Sequence, residues 1–188
     1  MKLNPVVLMI VIASAVFIGL NINSERLGIA FERNEEKASV LSPEYLVDYL
    51  SKNGFHILPV SKKEKYDIYR GEKSLHDSNI VVQVEIHYER VSEKALVVKA
   101  DIDASRYKNY GNQKEVENLV NQVASTYFVQ LARIPYDGLE PEAAGKWVYS
   151  NLLISYSDDL KEKTGTKIGE AVISMSGNRL HRTLEISL

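Results

Sequence analysis

The chain has 188 residues, of which 45% are hydrophobic and 26% are charged, a composition typical of one globular domain with a short appendage. Its 23 Lys and Arg residues are balanced by 25 Asp and Glu residues, so it lacks the basic excess that nucleic-acid binding usually needs. It contains no cysteine, which excludes disulfides, thiolate zinc sites and a cysteine nucleophile.

Residues 1–22 are predicted to form a membrane anchor. Within them, residues 6–20 form an apolar run of 15 residues that only Ser14 and Gly19 interrupt. At ~1.5 Å per residue this run covers roughly 22 Å of the ~30 Å hydrocarbon core, and its flanking residues bring it to spanning length. The residues assigned to the anchor are Val6, Leu8, Ile10, Val16, Phe17 and Leu20.

The apolar run has two interpretations, a retained anchor or a cleaved signal peptide. Cleavage requires small residues near the end of the apolar region, and the best pair, Ala13 and Ala15, would leave only residues 6–12 in that region. A retained anchor is therefore favoured, with secretion after cleavage as the alternative. Lys2 favours a cytoplasmic N-terminus, although basic residues beyond the run weaken this signal. We expect a single-pass protein of the cell membrane whose C-terminal domain is extracytoplasmic.

Beyond the anchor, the composition predicts a linker and one folded domain. Residues 23–40 are charged and lack a regular apolar period, which is typical of a flexible stalk. Residues 41–188 are predicted to form a single extracytoplasmic α+β domain. It opens with a short helix that Ser42 caps, that begins at Pro43 and that ends before Gly54.

The region after this helix is predicted to contain two short strands and a loop. Residues 55–60 form the first strand, which Pro59 closes. Residues 66–70 form the second. The polar residues 71–79 are predicted to be a loop.

The next two segments alternate apolar and polar residues with a period of two, the pattern of half-buried strands. Their apolar positions are Ile80, Val82, Val84, Ile86 and Tyr88, and then Leu96, Val98, Ala100, Ile102 and Ala104. One antiparallel register keeps apolar residues opposite each other and requires a loop with an odd number of residues. Its pairs are Val84 with Ala100, Ile86 with Val98, Tyr88 with Leu96 and Glu85 with Lys99.

Two long amphipathic helices are predicted next. In residues 115–133 apolar side chains recur at helical spacing through four turns, after a cap at Asn112. A second helix begins at Pro141 and stops at residues 163–165. Its expected buried stripe is Gly145, Tyr149, Leu152, Leu153, Tyr156 and Leu160.

The chain ends in a predicted hairpin of residues 168–175 and 180–188, with a turn at Gly177 and Asn178. This register pairs Met175 with Leu180 and Ala171 with Leu184. The expected fold class is therefore α+β: an antiparallel sheet built from β-hairpins, packed against two long amphipathic helices and preceded by the N-terminal hydrophobic anchor.

The sequence contains no recognisable catalytic or metal-binding motif. It lacks a Gly-rich phosphate loop, a His-Glu-x-x-His helix and a Gly-x-Ser-x-Gly turn, and its four histidines are scattered over four segments. Glu85, His87, Asp101 and Asp103 share one face of the first hairpin, and we interpret them as a solvated strand face. No catalytic residue, metal site or cofactor is predicted.

The predicted function is that of a membrane-tethered, extracytoplasmic interaction domain of the cell envelope that binds a protein or envelope component without catalysis. A small envelope hydrolase or transferase with a dispersed site is the alternative. Trp147, Val148 and Ile154 lie off the buried stripe of their helix and form a second apolar edge, which is the predicted partner surface. Burial of this edge in the core is the competing interpretation.

Overall fold

A computed structural model describes residues 42–75, 79–109, 111–152 and 162–188. All of them belong to one compact unit, Ser39–Leu188. The predicted anchor and stalk, residues 1–40, lie outside the described residues. Within the described ranges, no helix is both long and apolar enough to cross a membrane.

The first helix, α1, spans Pro43–Lys52 as predicted. Pro43 opens it, and the Ser42 hydroxyl caps it by accepting a hydrogen bond from the Tyr45 backbone N–H at 3.3 Å. After the C-cap, Gly54 adopts a φ of 77°, a conformation in which glycine is favoured because it has no Cβ. Leu46 and Leu50 are each only 2% exposed, so this face of α1 is part of the core.

Seven strands form one antiparallel sheet in the order β1-β2-β3-β4-β7-β6-β5. Consecutive hairpins connect β1 through β4 and then β5 through β7, and the two groups meet where β4 pairs with β7. The strands are β1 His56–Lys62, β2 Tyr66–Leu75, β3 Ile80–Glu89, β4 Lys94–Asp103, β5 Glu162–Ile168, β6 Ala171–Gly177 and β7 His181–Ser187. The chain is therefore an α+β domain with an antiparallel sheet.

The first two strands are longer than predicted. β1 continues through Pro59 because it is an edge strand and its ladder with β2 is irregular between Leu58 and Ser61, so the missing N–H of proline disrupts little. β2 continues to Leu75, and the predicted loop at residues 71–79 is wrong over its first half. In this part of β2, Glu72 and Ser74 are on the solvated face and alternate with the inward positions of Gly71, Lys73 and Leu75.

The predicted register of β3 and β4 is confirmed except at its end. Val84 pairs with Ala100, Ile86 with Val98 and Glu85 with Lys99. Tyr88, however, pairs with Ala95, because the ladder shifts by one residue after His87 and leaves Leu96 as an extra residue in β4. This bulge makes the connecting loop four residues long, Arg90 to Glu93, so the prediction of an odd loop was wrong.

Helix α2 spans Gln113–Ala132, in agreement with the prediction. The Asn112 side chain accepts a hydrogen bond from the Glu115 backbone N–H at 3.3 Å and caps the helix. Its buried residues follow the predicted stripe and include Val116, Val120, Val123, Ala124, Phe128 and Leu131.

Helix α3 spans Pro141–Leu152 and begins where predicted, and two residues of its predicted stripe, Gly145 and Leu152, are buried as expected. The prediction is wrong at Tyr149, whose place in the core is taken by Ala144 and Val148. The core-facing residues are Ala144, Gly145, Val148 and Leu152, whereas Tyr149 is 48% exposed. The small residues at 144 and 145 bring this side closest to α2, and a Cβ at Gly145 would approach the Arg133 side chain to 2.8 Å. The other predicted stripe residues, Leu153, Tyr156 and Leu160, lie outside the described residues.

The predicted C-terminal hairpin is present as β6 and β7, but its register differs and a further strand, β5, precedes it. Residues 163–165 belong to β5 and not to a helix end, and Ala171 pairs with Ile168 of β5. Met175 pairs with Leu184 instead of Leu180. The Asn178 side chain explains this shift, because it accepts hydrogen bonds from the Leu180 and His181 backbone N–H groups, each at 2.9 Å, and widens the turn.

One face of the sheet packs against the three helices in a single hydrophobic core. Alternate strand residues on this face, among them Val84, Ala100, Ile173 and Leu184, are almost fully buried. Arg182 also lies on this face with no exposed area, and its Nη2 donates to the Asn121 Oδ1 of α2 at 3.3 Å. We refer to the opposite, mostly polar face as the open face.

Candidate functional site

Five of the eleven tyrosines lie near one another on the helix-covered side of the sheet. We refer to Tyr45 and Tyr49 of α1, Tyr69 of β2, Tyr88 of β3 and Tyr136 of the loop between α2 and α3 as the tyrosine cluster. Spacing of four residues places Tyr45 and Tyr49 on one side of α1. Tyr69 pairs with Ile86, so Tyr88 is its diagonal neighbour, and the two rings meet edge to face with centroids 6.4 Å apart.

Tyr136 is the most buried member of the cluster. It is only 3% exposed, and its hydroxyl makes no hydrogen bond to any described residue. Burial raises the pKa of this hydroxyl strongly, and the nearby Tyr49 and Tyr45 raise it further. Leaving a buried hydroxyl unpaired costs about 1–3 kcal/mol, so such a group in a folded protein requires an explanation.

A cavity of about 210 Å³ adjoins the tyrosine cluster. Tyr136 is the member of the cluster among its described lining residues, and Ala95, the ladder partner of Tyr88, lines it as well. Gly138 accepts a hydrogen bond from the Glu170 backbone N–H at 2.7 Å and thereby fixes the turn between β5 and β6 at the cavity. The lining residues are Lys94, Ala95, Leu96, Tyr136, Asp137, Glu170 and Leu188.

The surroundings of the cluster are acidic. Glu44, Glu93 and Glu170 form no ion pair with another described residue, whereas Lys94, which lines the cavity, is paired with Asp137 at 3.0 Å. Burial raises the pKa of Tyr88, and the carboxylates of Glu93 and Glu44 raise it further. The pKa of Tyr69 is raised by burial first, then by Asp67 and Glu44. Asp67 is itself paired with Arg90 at 3.0 Å, so Glu44 and Glu93 are the carboxylates near these rings that lack an ion pair with a described residue.

The open face carries a separate polar network centred on Asp101. The Thr183 hydroxyl donates to Asp101 Oδ1 at 2.5 Å, Lys99 Nζ lies 2.9 Å from Oδ2, and His181 Nε2 lies 3.5 Å from Oδ1. Burial alone would raise the pKa of Asp101, but hydrogen bonds from His181, Thr183 and Lys99 outweigh it and hold the pKa well below the usual range. The network ties β4 to β7 at the centre of the sheet.

The Asp101 network does not have the geometry of a nucleophilic triad. Thr183 and His181 both approach the same carboxylate oxygen, whereas catalysis requires the imidazole to lie between the hydroxyl and the acid. Glu85 and His87 lie on the neighbouring strand β3, where Arg70 Nε donates a hydrogen bond to Glu85 Oε1 at 2.6 Å. Across the described residues, no group of three or more His, Asp or Glu residues is arranged to hold a metal ion.

The predicted partner surface on α3 is divided between the core and the surface. Val148 is fully buried and has no exposed area with which to contact a partner. Trp147 is half-buried and packs against the core. Ile154 lies outside the described residues, as do the anchor residues Val6, Leu8, Ile10, Val16, Phe17 and Leu20.

The comparisons with known proteins identify no relative. No protein-family model matches the chain, and no similar protein was found among curated proteins or solved structures. The tyrosine cluster was also missed from sequence, where only the spacing of Tyr45 and Tyr49 offers a signal. Tyr136 reaches the cluster through tertiary structure that local patterns do not reveal.

The lowered pKa of Asp101 predicts a pH-dependent contribution to stability. A carboxylate whose pKa is lower in the folded state stabilises the protein above its unfolded pKa of ~3.9 and loses this effect as the pH falls through the folded value. Replacing Asp101 with Asn should therefore lower the free energy of unfolding by about 1–3 kcal/mol at pH 7, with a smaller difference at pH 3, which lies below the unfolded pKa. Urea titrations at pH 7, 5 and 3 measure this.

Asp48→Asn is the matched control, because Asp48 is paired with Lys52 on the exposed surface of α1. Exposed pairs contribute little, so we expect little change at any of the three pH values. An Asp101→Asn effect that stays the same at pH 7 and pH 3 would contradict the electrostatic origin of the stabilisation.

Proposed function

We propose that this chain is a membrane-tethered, extracytoplasmic interaction domain that binds its partner at the tyrosine cluster and the adjoining cavity. The observation that carries the binding site is the buried Tyr136 hydroxyl, which has no hydrogen-bond partner among the described residues and belongs to a side chain that lines the cavity. A ligand that supplies the missing hydrogen bond would remove the cost of leaving this group unpaired.

Binding is favoured over catalysis by the character of the groups at this site. The hydroxyl of Tyr136 is held protonated by burial, which makes it a poor nucleophile and a poor base near neutral pH. The described cavity lining contains no histidine, serine or threonine that could relay a proton. Tyrosine, by contrast, is enriched where binding energy concentrates, because it combines a large apolar ring with a polar tip.

The tether rests on the sequence of residues 1–40. The apolar run at residues 6–20 has the composition of a membrane anchor, and the charged residues 23–40 supply a linker between the anchor and the folded domain. Lys2 favours a cytoplasmic N-terminus, which places the domain outside the cytoplasm.

We expect the full chain to fractionate with membranes and to resist extraction by alkaline carbonate. A shorter chain that starts at Val40 should appear in the soluble fraction with the same helix and strand content, because every described element begins after that residue. Fractionation followed by immunoblotting and circular dichroism measures both outcomes.

The orientation is tested on intact spheroplasts, where added protease should digest the domain of the full chain but leave a cytoplasmic marker protein intact. Recovery of the full chain in the soluble fraction with its N-terminus intact would refute the anchor. Cleavage after Ala15 would instead support secretion.

A further inference from the structure

The proposed binding site does not by itself specify the chemistry of its ligand. Resting on that proposed function, we infer that the tyrosine cluster and its cavity bind an arginine side chain presented by a protein partner. Three properties of the site select this ligand: its aromatic groups, its negative charge and its size.

The aromatic groups favour a cation. Tyrosine rings attract cations through the negative face of the π system, and a guanidinium also stacks flat on such rings. The domain already contains this contact elsewhere, since Lys73 Nζ lies 5.3 Å from the ring centroid of Tyr127 and 5.9 Å from that of Phe55. In the tyrosine cluster no cation from the described residues plays this role.

The charge of the site selects a cation over a neutral group. Glu44 and Glu93 lie close enough to Tyr88 to raise its pKa, and Glu170 lines the cavity. None of the three forms an ion pair with a described residue. The cations that the described residues place near the site are paired: Lys94 of the cavity lining with Asp137 at 3.0 Å, Arg90 with Asp67 at 3.0 Å, and Lys52 with Asp48 at 2.6 Å. The local field is therefore negative, and an incoming positive charge is attracted.

The size of the cavity selects a side chain over a larger ligand. Its volume of about 210 Å³ is below the ~300–1,000 Å³ of typical small-molecule pockets and suits one long side chain. Arginine fits better than lysine because its planar guanidinium carries five donors. These donors can supply both the Tyr136 hydroxyl and the Glu170 carboxylate, whereas the compact ammonium of lysine cannot stack on a ring in the same way.

The test uses the full chain in nonionic detergent micelles with ¹³C-labelled tyrosine rings. The probe is an acetylated, amidated peptide of sequence Gly-Ser-Arg-Ser-Gly, and the matched probe replaces its arginine with citrulline, which has nearly the same shape but no charge. We expect saturable NMR shifts at Tyr45, Tyr88 and Tyr136 with the arginine peptide, and binding about tenfold weaker with citrulline. Tyr127, which packs against Phe55, serves as the internal control and should not shift.

Matched variants test the individual groups. Glu44→Gln and Glu93→Gln should each weaken binding of the arginine peptide about threefold, with an effect that shrinks at high salt. Glu185→Gln is the control on the open face and should leave affinity unchanged. Tyr136→Phe should weaken binding without lowering the melting temperature, because it removes a hydroxyl that has no described partner and keeps the packed ring.

Equal affinity for the citrulline peptide overturns the assignment of a cationic ligand. An absence of saturable binding up to ~10 mM peptide also overturns it, because a dissociation constant above that concentration does not indicate a specific site. Binding of both peptides at the same tyrosines would refute arginine as the specific ligand but would remain consistent with the proposed interaction domain. Failure of the chain to associate with membranes rejects the tether and leaves the peptide result untouched.

Discussion

Replacing Phe128 with Ala is expected to lower the free energy of unfolding by about 3–5 kcal/mol. Phe128 has no exposed area and is among the largest fully buried side chains of the described residues. It lies on the face of α2 that packs into the core, between Ala124 and Leu131. The substitution removes a whole ring from a close-packed interior, and a helix and a seven-stranded sheet cannot collapse into the space without losing other contacts.

The loss is measured by urea denaturation of the chain that starts at Val40, followed by circular dichroism. Gln122→Ala is the control on the same helix, because Gln122 is exposed and its change should stay within about 0.5 kcal/mol. A domain of this size is stabilised by only ~5–15 kcal/mol, so the Phe128 variant loses a large fraction of the total. Similar losses in the two variants would show that α2 is not packed as described.

Helix α2 could be predicted from sequence because each of its signals is local. The cap at Asn112 acts on an N–H three residues away, and the apolar period repeats without a slip from Val116 to Leu131. The centre of the β3 and β4 ladder was predictable for a related reason. One face is buried, so a shift by one residue would expose Ile86 and bury Glu85, and only one parity of register is acceptable.

Strand ends and turns were predicted less well, because single side chains decide them. The alternation of buried and exposed residues in β6 and β7 allows several registers that differ by an even number of residues. The hydrogen bonds of the Asn178 side chain select the register that pairs Met175 with Leu184. The bulge at Leu96 similarly changes the loop without moving the core pairs. β2 was mistaken in part for a loop because Glu72 and Ser74 lie on the open face, while the helix-covered position between them is occupied by Lys73 and not by an apolar residue.

The site was not predictable in the same way. Its tyrosines come from α1, β2, β3 and a loop, so their proximity follows from the tertiary fold and not from a period or a motif. From sequence, the partner surface was predicted on α3 because this helix contains the sole tryptophan, Trp147. Val148, which is next to it, is fully buried. The buried face of α3 is set by Ala144 and Gly145, whose small size matters only once α2 is in place.

Replacing Gly169 with Ala is expected to lower the free energy of unfolding by about 2–4 kcal/mol and to reshape the cavity. Gly169 lies in the turn between β5 and β6 with a φ of 65°, a conformation that a residue with a Cβ adopts only with strain. A Cβ there would also clash with the carbonyl oxygen of Gly138. The backbone carbonyl of Gly138 cannot rotate away from this Cβ as a flexible side chain could. The turn that contains Gly169 and the loop that contains Gly138 must therefore move apart.

That separation acts on the binding site as well as on stability. Gly138 accepts the hydrogen bond of the Glu170 backbone N–H, and Glu170 lines the cavity together with Tyr136. We therefore expect Gly169→Ala to weaken binding of the arginine peptide more than Glu44→Gln does, since it moves the cavity wall itself.

Gly111→Ala is the matched control for this glycine substitution. A Cβ at Gly111 meets no atom within 4 Å, and replacing an unstrained glycine with alanine usually stabilises by about 0.4–1 kcal/mol through the unfolded chain. Urea denaturation and the peptide titration on both variants separate the effects. If Gly169→Ala were as stable as Gly111→Ala, the turn would not be held against the Gly138 loop, and the cavity would lack the wall on which its ligand depends.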